Sequence, residues 1–314
     1  MGTPLLWVGF NLFVLLALAL DLGVFHRKVH RITLRESALG SALWIAMSLT
    51  FGLFLWHWFG AQRGLEYFTG YVIEKALSID NLFVFLVVFR AFQVDDEVQH
   101  RVLAWGILGA LVMRGLMIGA GAVLIARFSW VLPLLGVFLV YTGLHMLWKR
   151  DKQLHFERNP IFRFASTHLR VSKSYHGPRF FIHENGALLA TPLLLVLIVI
   201  EISDVTFAVD SIPAVFGITR DPFIVYTSNV FAILGLRALY FLLSDLLEYL
   251  RYLGIGLALV LIFVGVKMVL DLWRHISVGR SLAVVGAIVL LTTILSLYAG
   301  PGKKMSEPAK TRVL

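Results

Sequence analysis

The sequence predicts an all-α fold: a polytopic transmembrane helical bundle with two inverted three-helix repeats. Three observations lead there. The 314-residue chain is 59% hydrophobic, with 24 phenylalanines and a mean hydropathy of +0.82, more apolar surface than one soluble core can bury. Nine apolar stretches each approach the roughly 20 residues needed to cross a bilayer. Two acidic segments, Glu74 to Asn81 and Glu201 to Ser211, sit inside such stretches on either side of a basic connector.

Taken in order, the first span, 5–25, lacks the basic start of a signal peptide and exceeds the usual length of its apolar core, so it reads as a retained helix. Spans at 37–59, 68–89, 102–125 and 130–148 follow. The segment 149–188 is basic, carries His155, His168, His176 and His183 and lacks apolar periodicity, which predicts a solvated connector. Spans at 189–212, 222–243, 252–272 and 279–299 complete the set, and a polar tail follows Pro301. The organisation is then two N-terminal spans in 1–67, a first repeat in 68–148, the connector in 149–188, a second repeat in 189–272, and a last span with its tail in 273–314.

The net charge of +9 follows from membrane topology, because no nucleic-acid motif accompanies it. With nine spans, nineteen lysines and arginines fall on one side and five on the other; Lys75, Arg114, Arg237 and Lys267 lie inside spans and complete the 28. Basic loops stay in the cytoplasm, so the N-terminus is expected outside and the C-terminus inside. The chain has no cysteine, which excludes an internal disulfide, thiolate metal ligation and a dithiol redox cycle of its own.

The halves resemble one another. Glu74, Asp80 and Asn81 correspond to Asp204, Asp210 and Ser211; Gly109 to Leu116 corresponds to Ala232 to Leu239, aligning Arg114 with Arg237; Gly143 to Met146 corresponds to Gly265 to Met268. Three spans per unit is an odd number, so the second unit enters from the opposite side, the arrangement that builds midplane sites with alternating access. Gly106, Gly109, Gly115, Gly119 and Gly235 allow close helix approach.

A central charge costs roughly 2.5–3.5 kcal/mol in a membrane span, so these acids and bases require partners, water or a cation. Asp80 and Asp210 are the expected centre of a metal site, joined by Glu74, Asp204, Glu201, Asn81 and Ser211. Positions six apart lie about 120° apart on a helix, so a regular helix cannot aim Glu74 and Asp80 at one ion. Pro213 is expected to interrupt its helix and free the Val209 carbonyl. Oxygen ligands without thiols suit Mn²⁺, Ca²⁺ or Mg²⁺, and the same carboxylates could carry protons. Arg114, Arg237, Lys75 and Lys267 are read as gating or charge-pairing residues. No Ser-His-Asp set, phosphate loop or HExxH motif points to an enzyme.

At Thr69 to Lys75 with Asp80-Asn81, Glu201 to Asp204 with Asp210 to Pro213, and Thr227 to Asn229 leading to Leu236 to Ala238, the chain resembles the TerC membrane-protein family, in its Alx-like branch. The resemblance implies a multi-pass protein of the bacterial inner membrane associated with Mn²⁺ export; coupling of that export to protons is expected from the buried carboxylates themselves. The alternative implied for this branch is a membrane scaffold or redox modulator without intrinsic ion flux.

Overall fold

The computed structural model describes residues 2–23, 34–128, 130–148, 171–172, 174–184, 187–243, 252–273 and 276–299. Helices occupy all nine stretches expected to span: α1 (Pro4–Gly23), α2 (Leu34–Phe59), α3 (Ala61–Ala91), α4 (Asp96–Arg127), α5 (Val131–Trp148), α6 (Pro192–Phe216), the pair α7 (Pro222–Leu234) and α8 (Leu236–Leu243), α9 (Leu253–Leu270) and α10 (Val278–Ala299). Six of them, α2, α4, α5, α6, α9 and α10, are long and apolar enough to cross a membrane, and α7 with α8 makes a seventh, bent by 41°. The protein is a multi-pass helical membrane bundle.

The two remaining helices differ for physical reasons. The apolar part of α1 is shorter. α3 carries Arg63, Glu66, Glu74, Lys75, Asp80 and Arg90, too many charges to pass as apolar. Its 31 residues nevertheless extend about 46 Å. One end is bonded to the turn after α6, where Thr219 Oγ1 donates to Glu66 at 2.7 Å. The other end meets the segment entering α6, where the Tyr175 hydroxyl donates to the Phe92 carbonyl at 2.6 Å. α3 and α6 therefore run antiparallel through the bundle.

Exposed Trp58, Trp130 and Trp273 ring the end where α3 starts, and exposed Trp148 and Tyr298 mark the other. Amphipathic rings of this kind sit at membrane interfaces. Lipid tails are as apolar as leucine, so helix association here rests on close packing rather than on hydrophobic transfer. α5 and α9 show it most clearly: a Cβ on Gly136 would lie 2.8 Å from the Gly265 carbonyl, and one on Gly143 would lie 2.7 Å from the Ala258 carbonyl. Phe10, Phe51, Tyr67, Phe223 and Phe231 interlock α1, α2, α3 and α7.

Two expectations need correction. The bundle is all-α, but the end of the connector and the first two residues of the span expected at 189–212 form a two-stranded antiparallel hairpin, β1 (Phe181–Glu184) and β2 (Ala187–Ala190), where no strand was expected. The strands flank Asn185-Gly186, the dipeptide that favours a two-residue hairpin turn. α6, moreover, continues through Pro213 to Phe216. Pro213 has no N–H to give the Val209 carbonyl, yet the helical path is kept beyond it, and the Gly217 N–H bonds to the Pro213 carbonyl at 2.9 Å.

Candidate functional site

Glu74 and Asn81 are seven residues apart on α3, and Asp204 and Ser211 are seven apart on α6. Seven residues close to two full turns, so each pair shares one helix face. The two faces meet around Arg114 of α4. Its Nε donates to Asp204 Oδ2 at 3.1 Å and its Nη2 to Asp204 Oδ1 at 2.9 Å, a two-pronged bond. Nη1 donates to Glu74 Oε2 at 2.9 Å and reaches Ser211 Oγ at 3.5 Å. Asn81 Nδ2 donates to Asp204 Oδ1 at 3.4 Å. Arg114 is 2% exposed and Glu74 1%, so water screens none of this.

Two carboxylates and one guanidinium leave the cluster formally one negative charge in excess. Two of its acceptors, Glu74 Oε1 and Asn81 Oδ1, are buried without a hydrogen-bond partner among the described residues. Buried acceptors left in that state are costly and call for a donor or a cation. The planar guanidinium suits the paired carboxylates better than a lysine would, since it never loses its charge and binds Asp204 with two parallel bonds.

Among the described residues no three Asp, Glu or His side chains form a group that could hold a metal ion. Glu74, Asn81, Asp204 and Ser211 do meet, but on Arg114. Asp80 and Asp210 are half-buried, and each lies one position before the residue that shares the face of its helix's clustered acid, Asn81 or Ser211. Glu201 is half-buried against α4, where Gly109 leaves the space its carboxylate fills. Gly106 likewise admits Ile200, whereas Gly119 faces nothing within 4 Å.

Two of the other basic residues, Lys75 and Lys267, hold backbone carbonyls. Lys75 Nζ donates to the Ala232 carbonyl at 3.3 Å, beside the break between α7 and α8. Lys267 Nζ donates to the Gly217 carbonyl at 2.7 Å and reaches Asp271 at 3.4 Å. Arg237 is buried directly after the break. Sequence reasoning missed a second polar group, at the end where α3 starts: Glu66 accepts from Arg63 at 2.9 Å and from Thr219, and Asp221 caps α7 through the Phe223 N–H. These residues, with Lys267 and Asp271, line a cleft of about 840 Å³. Glu66 escaped notice because it lies just outside the span expected at 68–89.

The chain matches the model of the integral membrane protein TerC family over residues 59–304. It is 46% identical over 302 residues to an uncharacterised membrane protein of Myxococcus xanthus, covering 95% of each chain. It is also 44% identical over 307 residues to the putative membrane-bound redox modulator Alx of Escherichia coli, again covering 95% of each. An uncharacterised membrane protein of Rickettsia bellii is 39% identical over 291 residues, with 93% of this chain and 96% of that one covered. No solved structure matches the chain. A family model spanning most of the bundle and relatives alike from end to end give one conclusion: the chain belongs to the TerC family of integral membrane proteins, within its Alx-like branch.

Proposed function

We propose that the protein moves a divalent hard cation, Mn²⁺ first among them, out of the cell across the bacterial inner membrane, and we assign it no catalytic reaction. The observation that carries this reading is the buried Glu74–Arg114–Asp204 cluster, with its excess negative charge and its two acceptor oxygens unpartnered among the described residues. Ionisable groups this deep in a membrane protein are expensive and mark ion paths. Arg114 holds the carboxylates in the absence of cargo; the arriving cation takes Glu74 and Asp204 with Asp80, Asp210 and neighbouring oxygens, and protons returning to the same acids supply the coupling.

Reciprocal packing supports inverted repeats. Aligning Gly143 with Gly265 pairs Gly136 with Ala258, and the seam between α5 and α9 joins Gly136 to Gly265 and Gly143 to Ala258. Each contact is the other with the halves exchanged, as a two-fold relation requires. α3 packs on α7 as α4 packs on α6, the same exchange at the level of helices.

A second reading, a membrane scaffold or redox modulator without ion flux, is favoured by the name of the Escherichia coli relative and by the lack of a gathered metal-ligand group among the described residues. Purified protein in Mn²⁺-loaded proteoliposomes separates the two. Transport predicts Mn²⁺ flux that Asp80→Asn and Asp210→Asn each abolish while both variants insert normally. Normal flux in both variants removes the two aspartates from the path, and no flux with the parent chain leaves the second reading.

A further inference from the structure

The bend between α7 and α8 is built from three parts that the cation site does not use. In an unbroken helix the Ala232 carbonyl would accept from the Leu236 N–H; here it accepts from Lys75 Nζ at 3.3 Å. Gly235 leaves room for that ammonium, since a Cβ there would lie 3.0 Å from Lys75 Nζ and 3.3 Å from Trp44 Cβ. Beyond the break α8 rests on α2 along a seam of small residues. A Cβ on Gly40 would lie 3.2 Å from Ala238 Cβ, and the buried hydroxyls of Ser37 and Ser41 have no hydrogen-bond partner among the described residues. The far side of α8 is clasped where α3 stops and α4 starts: the Tyr240 hydroxyl donates to Gln99 Oε1 at 3.0 Å and its ring meets Phe89 edge-on at 5.6 Å.

We propose that α8 is a hinged gate at the end of the bundle where α3 stops and α4 and α6 begin, latched shut by Lys75 on the Ala232 carbonyl. What the gate admits rests on the transport reading; the latch does not. Lys75 follows Glu74 in the chain, so one turn of α3 touches both the Arg114 cluster and the hinge. A cation that draws Glu74 from Arg114 shifts that turn and with it the ammonium. Opening swings α8 about Gly235 along the small-residue seam and carries buried Arg237 with it. Lys75 is thus a positioning residue that acts through the hinge.

The cysteine-free chain allows a direct test. In detergent-purified protein with Ala238→Cys as its one thiol, a water-soluble maleimide reads how often α8 leaves α2. Lys75→Met should raise the labelling rate about tenfold, as expected when one charge-assisted bond to the closed state is lost. Gly235→Ala, which displaces the ammonium, should act in the same direction, and Lys75→Arg, which keeps a donor, should stay near the parent rate. Equal rates in Lys75→Met and the parent overturn the latch. In proteoliposomes, oxidation of the Gly40→Cys/Ala238→Cys pair should stop Mn²⁺ flux reversibly, because its Cβ separation approaches that of a disulfide; undiminished flux in the oxidised pair overturns the gate. If the parent chain carries no Mn²⁺, the transport reading fails while the labelling rates still decide the latch.

Discussion

A guanidinium satisfies two carboxylates when they approach its two edges, and Glu74 and Asp204 do so at Arg114. Arg114→Met leaves two buried anions facing each other, and removing one partner of a buried ion pair costs about 3–5 kcal/mol. The variant should unfold at a markedly lower denaturant or temperature midpoint in detergent, and Arg114→Lys should fall between it and the parent, since an ammonium cannot reproduce the two-pronged bond to Asp204. Adding Asp204→Asn to Arg114→Met should recover part of the loss; a double variant no more stable than the single one would show that Asp204 and Arg114 do not act as a unit. The identity of these residues was legible in the sequence, because acids and bases inside spans stand out. Their grouping was not. The spacing of six between the acids drew attention to Asp80 and Asp210, whereas the face that closes on Arg114 is set by the spacing of seven that joins Glu74 to Asn81 and Asp204 to Ser211.

Among the described residues hydropathy located the helices of the bundle, because a bilayer demands length and apolarity of most of them, a requirement that short connecting elements escape. The hairpin shows the difference: its strands are four residues long, and only the Asn185-Gly186 dipeptide announced them. The segment that leads into it is fastened to α3 by Tyr175, whose hydroxyl donates to the Phe92 carbonyl. Burial, helped by the negative charge of Asp95, pushes this hydroxyl from an ordinary value near 10 up to about 12. A pKa raised in the folded state means that the bond contributes fully below pH 10 and is lost as pH rises from 10 towards 12. Subtracting a tyrosinate absorbance titration of Tyr175→Phe from that of the parent should show a transition displaced above pH 10, and one at 10 would contradict the part-buried bond. At neutral pH the same substitution removes about 0.5–1.5 kcal/mol, read as faster hydrogen exchange in the hairpin amides. Helix breaks were legible only by their usual marker, proline. α6 continues through Pro213, and the actual bend falls at Gly235, where tertiary contacts with Lys75 and Trp44 take the place of the lost helical bond.

At the scale of the whole molecule, the seam between α5 and α9 joins the ends of the proposed repeats, and its closest approaches are backbone to backbone. Gly143→Leu should therefore prevent the halves from closing, measured as loss of the monodisperse peak in detergent size exclusion, while Gly119→Leu, at a glycine facing open space, should leave that peak intact. Equal behaviour of the two would mean that the seam does not hold the halves together. The Arg114 cluster has a consequence in time. Asp204 follows Arg114 by 90 residues, so at ordinary rates of synthesis it leaves the ribosome roughly 5–18 s later. During that interval Glu74 and Arg114 can already neutralise one another, and the central charges of the first half, Glu74, Lys75, Asp80 and Arg114, sum to zero. The first half can thus enter the bilayer electrically balanced, and the core's excess negative charge arrives only with the second half, after a preformed counter-charge is in place to receive it.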